Sequence, residues 1–180
     1  MSKVLIENKF IQIQKFSLNH ITTKYINWLN DKSINLYSEH RHQKQTKYKV
    51  INYFNSRKNN KHYNLLFMAL HDKKNKIHFG NMHAYIDKYN KSANLSILIG
   101  DKRYFKKGYG SKSWDLCTEY LFKYKKMRII IAGTMDKNKA MINLMKKSKM
   151  NISKEIKNYY MFNNKPAGLI IATKINKKFK

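Results

Sequence analysis

Two closely spaced glycines lie in the stretch most suggestive of chemistry, IGDKRYFKKGYGSKS. The chain holds only 6 glycines and 1 proline, so the Gly108-Tyr-Gly110 turn is a selective use of a scarce residue. Glycine lets the backbone approach a ligand closely because no Cβ intervenes. A helical pattern follows, and the first turn of a helix offers free N–H groups and the positive end of the helix dipole. With Lys106 and Lys107 before the turn and the Ser111 hydroxyl after it, the segment predicts a phosphate or diphosphate site.

The simplest alternative is a turn shaped only for chain reversal, and two other nucleotide motifs can be compared with the segment. A P-loop requires G-x-x-x-x-G-K-[ST], which the chain lacks. A dinucleotide fingerprint requires a third small residue, a place that Ser113 nearly fills, but the fold around that motif alternates strands and helices. Here three strand-like runs precede the glycines with no helix between them, so a dinucleotide site is disfavoured.

The hydrophobic pattern along the chain predicts the elements that position this loop. Strand-like and helical runs follow in the order β-α-α-β-β-β-α-β-α-β-β, which is typical of an α+β domain around a mixed sheet. No repeat, linker or break in composition divides the chain, so residues 1–180 are predicted to form one domain. The predicted strands cover 10–16, 62–72, 78–87, 93–101, 127–135, 155–163 and 168–175, and the predicted helices cover 17–31, 47–56, 110–126 and 138–149.

The net charge of +28 arises from 38 basic against 10 acidic residues, and nearly all of the basic residues are lysines. Proteins that bind phosphates or nucleic-acid bases specifically favour arginine, because its planar guanidinium group can donate two hydrogen bonds at once. The lysines are spread evenly with Asn and Ile, which favours a solvated basic surface, although a positive field also concentrates anions. The single cysteine, Cys117, and the lack of any run of about 18 apolar residues predict a cytoplasmic protein without a disulfide or membrane span.

The segment IGDKRYFKKGYGSKS resembles the acetyl-CoA loop of the GNAT superfamily of N-acetyltransferases. That loop reads Q/R-x-x-G-x-G/A, and in the branch of the ribosomal-protein alanine acetyltransferases it often reads IGDKxYWGKGYGTEA. The order of elements agrees over essentially the whole chain, and INWLNDKSINLYSEHRHQKQT is similar to members from surface-polysaccharide gene clusters. The resemblance implies a GNAT fold, with a mostly antiparallel seven-stranded sheet flanked by about four helices, and an acetyl-CoA-dependent N-acetyltransferase.

The resemblance also implies roles for the loop and for the strand before it. Leu98, Ile99 and Gly100 would lie beside the pantetheine arm, where their backbone polarises the thioester carbonyl. Asn138 matches an asparagine that often contacts the cofactor, which would enter between two splayed strands. Tyr109 would either anchor the loop by packing or cover the cofactor. The residues expected to wrap the diphosphate are Phe105, Lys106, Lys107, Gly108, Tyr109, Gly110 and Ser111.

Several positions depart from the family pattern. Lys106 stands where relatives usually have a glycine, and Met145 where they have a tyrosine that can protonate the leaving thiolate. KSKM replaces the K-x-G-F ending of the last predicted helix, and Asn94 stands where relatives often place a glutamate base. Without the tyrosine, solvent is favoured as the source of the proton for the leaving thiolate. Without the glutamate, a base for the amine must come from another part of the chain.

A base is useful because an α-amino group, with a pKa of about 8, is largely charged at neutral pH. The candidates are Glu39 and His42 in YSEHRH, which is similar to an SEQRH stretch beside the acceptor pocket of relatives, and His83 on a predicted strand. The alternative is that each is an ordinary polar residue of a helix end or a strand. His40 and His42 lack further metal-ligating residues nearby, so no metal is expected.

The YSEHRH segment favours a small-molecule amine as the acceptor, namely an amino sugar and in particular a nucleotide-linked one. A protein N-terminal amine is the second candidate, in keeping with the ribosomal-protein branch. A different class of function is a non-catalytic, basic nucleic-acid-binding module on the same fold, which the even spread of lysines disfavours. The resemblance allows a homodimer, because many relatives dimerise, but no pattern in the chain identifies a dimer face.

Overall fold

The centre of the structure, a computed structural model that describes residues 2–58 and 64–179, is one mixed β-sheet. Its eight strands are β1 (Val4–Glu7), β2 (Ile11–Lys15), β3 (Leu65–Asp72), β4 (His78–Asp87), β5 (Ser92–Ile99), β6 (Ile129–Met135), β7 (Asn151–Phe162) and β8 (Lys165–Ile175). Their order across the sheet is β1-β2-β3-β4-β5-β6-β8-β7, and β5 and β6 form the parallel pair.

Among the described residues, five α-helices begin where polar side chains cap them or where glycine allows the turn. They are α1 (Thr23–Asn30), α2 (Lys32–Asn35), α3 (Lys47–Lys58), α4 (Tyr109–Lys123) and α5 (Lys139–Lys147). The Thr22 hydroxyl accepts a hydrogen bond from the Tyr25 N–H at 3.2 Å and so caps α1. The Asn138 side chain accepts from the Met141 N–H at 3.1 Å and caps α5. Such caps satisfy N–H groups that have no partner inside the helix.

The two faces of the sheet carry separate apolar cores. On one face, α4 and α5 bury Trp114, Leu121 and Met145 against strand residues such as Ile13 and Leu95. On the other face, the core is made by α1, α3 and the neighbouring strands, with members Phe16, Ile21, Tyr25, Trp28, Leu29, Val50, Phe54, Phe67 and Ala69.

Cys117 belongs to the α4 side of the core, as its place on the apolar stripe of that helix predicts. Its thiol is fully buried, and the Sγ atom lies 3.6 Å from Met68 Sδ. Burial raises the pKa of this thiol well above its usual range, so it stays protonated and does not act as a nucleophile at neutral pH.

The α+β class and the mostly antiparallel sheet are confirmed, but the strand count is eight rather than seven. The additional strand, β1, has only four residues, lies at the sheet edge and is nowhere fully buried, so its sequence carries little alternation. The helix predicted over 17–31 is divided into a 3₁₀ turn at Leu18–His20, α1 and the start of α2. Residues 62 and 63 of the predicted strand 62–72 lie outside the described residues.

The parallel strands β5 and β6 pair over only three residues each and then separate. The paired residues are Ser92 to Asn94 in β5 and Ile129 to Ile131 in β6. Beyond them, residues of both strands line a cavity, so the strands splay as the resemblance to the GNAT family implies. Within the described ranges, no helix is long and apolar enough to cross a membrane.

Candidate active site

A cavity of about 640 Å³ fills the gap between the splayed strands. One part of it, here called the loop end, is lined by the loop before α4, the start of α4, β6 and α5. The other part, here called the acceptor end, is lined by α1, β4 and the segment from Ile34 to His40. The backbone of β5 from Ser96 to Ile99 runs between the two ends.

The glycine turn at the loop end has the geometry of an anion cradle. Gly108 is the N-cap of α4 with a φ of +80°, and a Cβ at this position would meet nothing within 4 Å. The first hydrogen bond inside the helix runs from the Lys112 N–H to the Gly108 carbonyl at 3.0 Å. The N–H groups before it have no acceptor within the helix, and Gly110 and Ser111 of this turn line the cavity. The turn therefore presents N–H donors and a helix dipole to an anionic ligand.

Lys106, which stands in the family's glycine position, adopts a glycine-like conformation. Its φ is +57°, and it lines the cavity, whereas Lys107, which is exposed as Lys106 is, lies outside the described lining and does not have a positive φ. In this glycine-poor chain other lysines take the same left-handed conformation at turns, including Lys149 after α5. The loop keeps its left-handed turn at the expense of backbone strain and gains a positive charge beside the cavity.

We expect Lys106→Gly to raise the free energy of unfolding by about 0.5–1 kcal/mol. The left-handed conformation costs a residue with a Cβ about 1–2 kcal/mol, which outweighs the greater chain entropy that glycine adds to the unfolded state. Lys107→Gly removes the same charge without relieving strain, so it should lower that free energy. Urea unfolding measures the change in the free energy of unfolding for each variant. Equal changes in the two variants would show that Lys106 is not strained.

A buried carboxylate fixes the strand end from which the loop leaves. Asp101 is 6 % exposed and accepts hydrogen bonds from Lys24 at 2.7 Å and from the Arg103 side chain at 3.0 and 2.7 Å. The Arg103 hydrogen bonds, followed by Lys24, hold the pKa of this carboxyl well below its usual range. Asp101 therefore stays ionised and ties the loop to α1.

Gly100 serves packing rather than the lining of the cavity. A Cβ at Gly100 would overlap the indole ring of Trp28, which is 5 % exposed and in ring contact with Tyr25 and His78. Gly100 is not among the described residues that line the cavity, in contrast to Leu98 and Ile99. The glycine is required because α1 lies directly on the end of β5.

We expect Gly100→Ala to lower the free energy of unfolding by about 2–3 kcal/mol, because the new methyl group must displace a packed tryptophan. Gly110→Ala is the matched control, since its Cβ would lie 3.5 Å from Leu144 Cδ1, an ordinary contact. Alanine also favours the helix over glycine, so the control should be neutral or stabilising. Urea unfolding compares the two, and a well-tolerated Gly100→Ala would show that Trp28 can move.

Tyr109 is a packing anchor under the loop. Its ring makes edge contacts with Phe79 at 5.4 Å and with Tyr104 at 4.7 Å between centroids. It packs against the α4 side of the core and is not among the described residues that line the cavity. Of the two roles open from the sequence, the geometry favours the anchor.

Two neutral histidines lie at the acceptor end. His83 on β4 and His40 in the 3₁₀ turn Glu39–His42 both line the cavity. Burial, with a smaller contribution from His40, lowers the pKa of His83 to about 4, and burial also lowers the pKa of His40. Both imidazoles are therefore uncharged at neutral pH and have a nitrogen available to accept a proton.

Glu39 and His42, the other two predicted catalytic residues, lie at the surface. The Glu39 side chain is 73 % exposed and pairs with Arg41 at 3.1 Å and with His42 at 3.5 Å. Neither belongs to the described lining of the cavity. The short 3₁₀ turn places His40 at the cavity and leaves Glu39 and His42 exposed, a distinction that the sequence pattern does not contain.

A family model for the acetyltransferase (GNAT) domain matches residues 11–151. The chain belongs to the GNAT acetyltransferases. It is therefore an N-acetyltransferase that uses acetyl-CoA to acetylate an amine. No curated protein sequence matches this GNAT acetyltransferase.

Solved structures share the fold of this GNAT acetyltransferase at low sequence identity. Spermidine N-acetyltransferase from Vibrio cholerae, in complex with CoA and spermine, is 14 % identical with a TM-score of 0.84, covering 96 % of this chain and 99 % of that chain. A ribosomal-protein alanine acetyltransferase from Vibrio fischeri is 16 % identical with a TM-score of 0.72, covering 97 % and 98 %. A microcin self-immunity acetyltransferase, in complex with acetyl-CoA and AMP, is 13 % identical with a TM-score of 0.78, covering 94 % of each chain.

The loop end of the GNAT acetyltransferase has the features that acetyl-CoA requires. The open space at Gly108, the free N–H groups of the first turn and the Lys106 cation suit the diphosphate. Asn138 lines the cavity, but both groups of its amide bond within the protein, to Met141 N–H and to Thr134 Oγ1 at 3.0 Å. Of the residues predicted to hold the cofactor, those lining the cavity are Leu98, Ile99, Phe105, Lys106, Gly108, Gly110, Ser111 and Asn138.

The helix that often supplies a tyrosine acid in GNAT relatives supplies none here. Met145 is fully buried in the core beneath α5, so its side chain does not reach the cavity. Asn143 and Lys147 of the same helix do line it. Because α5 has no tyrosine, this helix offers no phenol proton to a leaving thiolate.

Sequence reasoning missed several residues of the acceptor end. Asn81 and Ser96 lie on the polar face of β4 and β5, beside His83, and all three line the cavity. Tyr37 also lines it and stacks on Phe162 at the end of β7, with ring centroids 5.5 Å apart. The available signal was the polar residue at every second position of otherwise apolar strands, which marks a face turned to something other than a core.

Proposed function

We propose that the acceptor of this enzyme is an amino sugar, and specifically a nucleotide-linked one. The observation that carries the proposal is the charge of the cavity: none of the described residues that line it is Asp or Glu, and Lys106 and Lys147 do line it. A polyamine acceptor would need carboxylates to balance its charges. An acid-free cavity with two lysines suits an acceptor that is neutral around its amine and anionic elsewhere.

The polar groups at the acceptor end also suit a sugar. Tyr37, Ser38, Asn81 and Ser96 are uncharged and offer hydroxyl and amide groups to the cavity. Such groups bind sugar hydroxyls by donating and accepting hydrogen bonds. Lys106 lies beside the turn that suits the diphosphate of acetyl-CoA, so Lys147 is the lysine of the lining that remains for a phosphate of a nucleotide carrier. The similarity of the YSEHRH segment to members from polysaccharide clusters supports the same class of acceptor.

The chemistry proposed is direct attack of the amine on the thioester. The lysines and the apolar lining lower the pKa of a bound amine, which favours its reactive neutral form. As the amine nitrogen bonds to the acetyl carbon and the carbon–sulfur bond breaks, the nitrogen gives its proton to the neutral imidazole of His83, directly or through water. The departing thiolate takes a proton from solvent. The edge of β5 at Leu98 and Ile99 supplies backbone groups beside the carbonyl.

A protein N-terminal amine is the second candidate acceptor. The fold similarity to the ribosomal-protein alanine acetyltransferase supports it. An N-terminal peptide would place its first residues at the acceptor end and the rest outside the cavity. A basic surface with a net charge of +28 also suits an acidic protein.

The test is an acceptor screen preceded by calorimetric titration with acetyl-CoA. We expect micromolar binding of acetyl-CoA, and acetylation of nucleotide-linked amino sugars at higher kcat/KM than free amino sugars, a peptide with N-terminal alanine, or spermidine. His83→Gln should lower kcat at least 10-fold without changing the affinity for acetyl-CoA. Preference for the peptide would support the second candidate. Preference for spermidine would overturn the interpretation that a cavity without acidic lining residues does not suit a polyamine. Weak acetyl-CoA binding with tight, salt-sensitive RNA binding would favour a nucleic-acid module.

A further inference from the structure

The polar face of β4 holds a side-chain amide with an unused donor. Asn81 is 2 % exposed and lines the cavity. Its Oδ1 accepts a hydrogen bond from His78 Nε2 at 3.0 Å. Its Nδ2 is buried and has no hydrogen-bond partner among the residues that the structure describes. A buried donor without a partner is unfavourable, and a ligand oxygen that accepts a hydrogen bond from it removes that cost.

The neighbours of Asn81 fix the orientation of its amide. His78 Nε2 also lies 3.0 Å from the Gly80 carbonyl oxygen, an atom that can only accept. His78 therefore carries a proton on Nε2, and Asn81 must turn its oxygen toward that ring. Burial lowers the pKa of His78 to about 4, so the ring is neutral at neutral pH. The NH₂ group of Asn81 is thereby directed away from His78.

The unused donor stands beside the proposed base and the opening between the strands. Asn81 pairs with Leu98 across β4 and β5, and His83 pairs with Ser96. Cross-strand partners share a face, and so do residues two apart on a strand, so these four side chains stand together. All four line the cavity, at the point where β5 has already left β6.

We propose that Asn81 is a binding residue of the active site, whose Nδ2–H donates a hydrogen bond to an oxygen of a bound reactant next to the reacting groups. Two reactants carry such an oxygen: acetyl-CoA in its acetyl carbonyl, and the acceptor in a hydroxyl or ring oxygen near its amine. The chemistry of recognition is the same for both. The acceptor source rests on the proposed function, whereas the acetyl source requires only acetyl-CoA binding.

The first arm of the test measures the binding of acetyl-CoA and of CoA by calorimetry. Asn81→Asp keeps the size of the side chain and an oxygen toward His78 but removes the donor, and Asn81→Leu removes both polar groups. Asn94→Leu is the matched control, because Asn94 is exposed on the same face of β5 and outside the described lining. If the acetyl carbonyl is the partner, the ratio of the affinity for acetyl-CoA to the affinity for CoA should fall about tenfold in both Asn81 variants. The same ratio should not change in the control.

The second arm compares two ring amines as acceptors, glucosamine and cyclohexylamine, which lacks the oxygens. If the acceptor is the partner, both Asn81 variants should lose the preference for glucosamine in kcat/KM by about tenfold while the binding of acetyl-CoA stays unchanged. Unchanged preferences in both arms, in variants with native thermal unfolding, would overturn the proposal. If the wild type acetylates no sugar amine, the proposed function fails, and the calorimetric arm alone decides the role of Asn81.

Discussion

Gly108→Trp should weaken acetyl-CoA binding at least 100-fold, a loss of about 2.7 kcal/mol. The side chain would start from a backbone that lines the cavity, at a point where no protein atom lies within 4 Å of the new Cβ. It would therefore occupy the space over the first turn of α4, where the free N–H groups face the ligand. Calorimetric titration of acetyl-CoA into the wild type and the variant measures this loss.

Gly108→Ala separates occlusion from backbone strain. Both variants require a residue with a Cβ at a φ of +80°, which costs about 1–2 kcal/mol of stability whatever the side chain. Equal destabilisation with much weaker binding in the tryptophan variant would attribute the loss to occupied space. Binding that survives in a folded Gly108→Trp would mean that the diphosphate lies elsewhere, and the assignment of the loop would be wrong.

Acid should destabilise the protein steeply between about pH 6.5 and pH 4. Burial lowers the pKa values of His71, His78 and His83 to about 4, from an ordinary value of 6.5. In this window the histidines are protonated in the unfolded chain but not in the native state, so the free energy of unfolding falls as the pH falls. Each histidine contributes up to about 1.4 kcal/mol per pH unit, and the loss is complete once the pH lies below the native pKa values.

Burial is the main cause of each low pKa, and for His71 and His78 the neighbouring imidazoles lower the pKa further. The rings of His20, His71 and His78 lie 5.2 to 5.4 Å apart, and Lys24 donates to the His78 carbonyl at 3.3 Å. Urea unfolding at a series of pH values measures the slope. The slope of the unfolding free energy against pH reports how many protons the chain takes up on unfolding, and His78→Gln should reduce that number by up to one. An unchanged slope in this variant would contradict a lowered pKa for His78. Asp101 should add its own loss only at still lower pH, because its pKa is depressed from 3.8.

Local patterns were sufficient for the elements and for the loop. Alternation over Ile11–Lys15 and helical spacing over Tyr109–Lys123 follow directly from which residues a strand or helix must bury. The Gly-Tyr-Gly turn could be recognised because a left-handed φ and a close backbone approach favour glycine, although Lys106 also adopts a left-handed φ in this chain. Short segments carried too little periodicity, so β1 and the division of the first predicted helix were missed.

The sequence by itself determined the α+β class of this protein and predicted an anion-binding helix start, and its resemblance to the GNAT family implied acetyl-CoA. The tertiary structure alone decided which polar side chains share the acceptor end. Glu39 and His40 are neighbours in the chain, yet one is exposed and the other lines the cavity. Asn81 and Ser96 are 15 residues apart and meet only because β4 and β5 pair in one register. Burial, and with it the pKa of His83, depends on contacts between distant segments, which no local pattern of residues specifies.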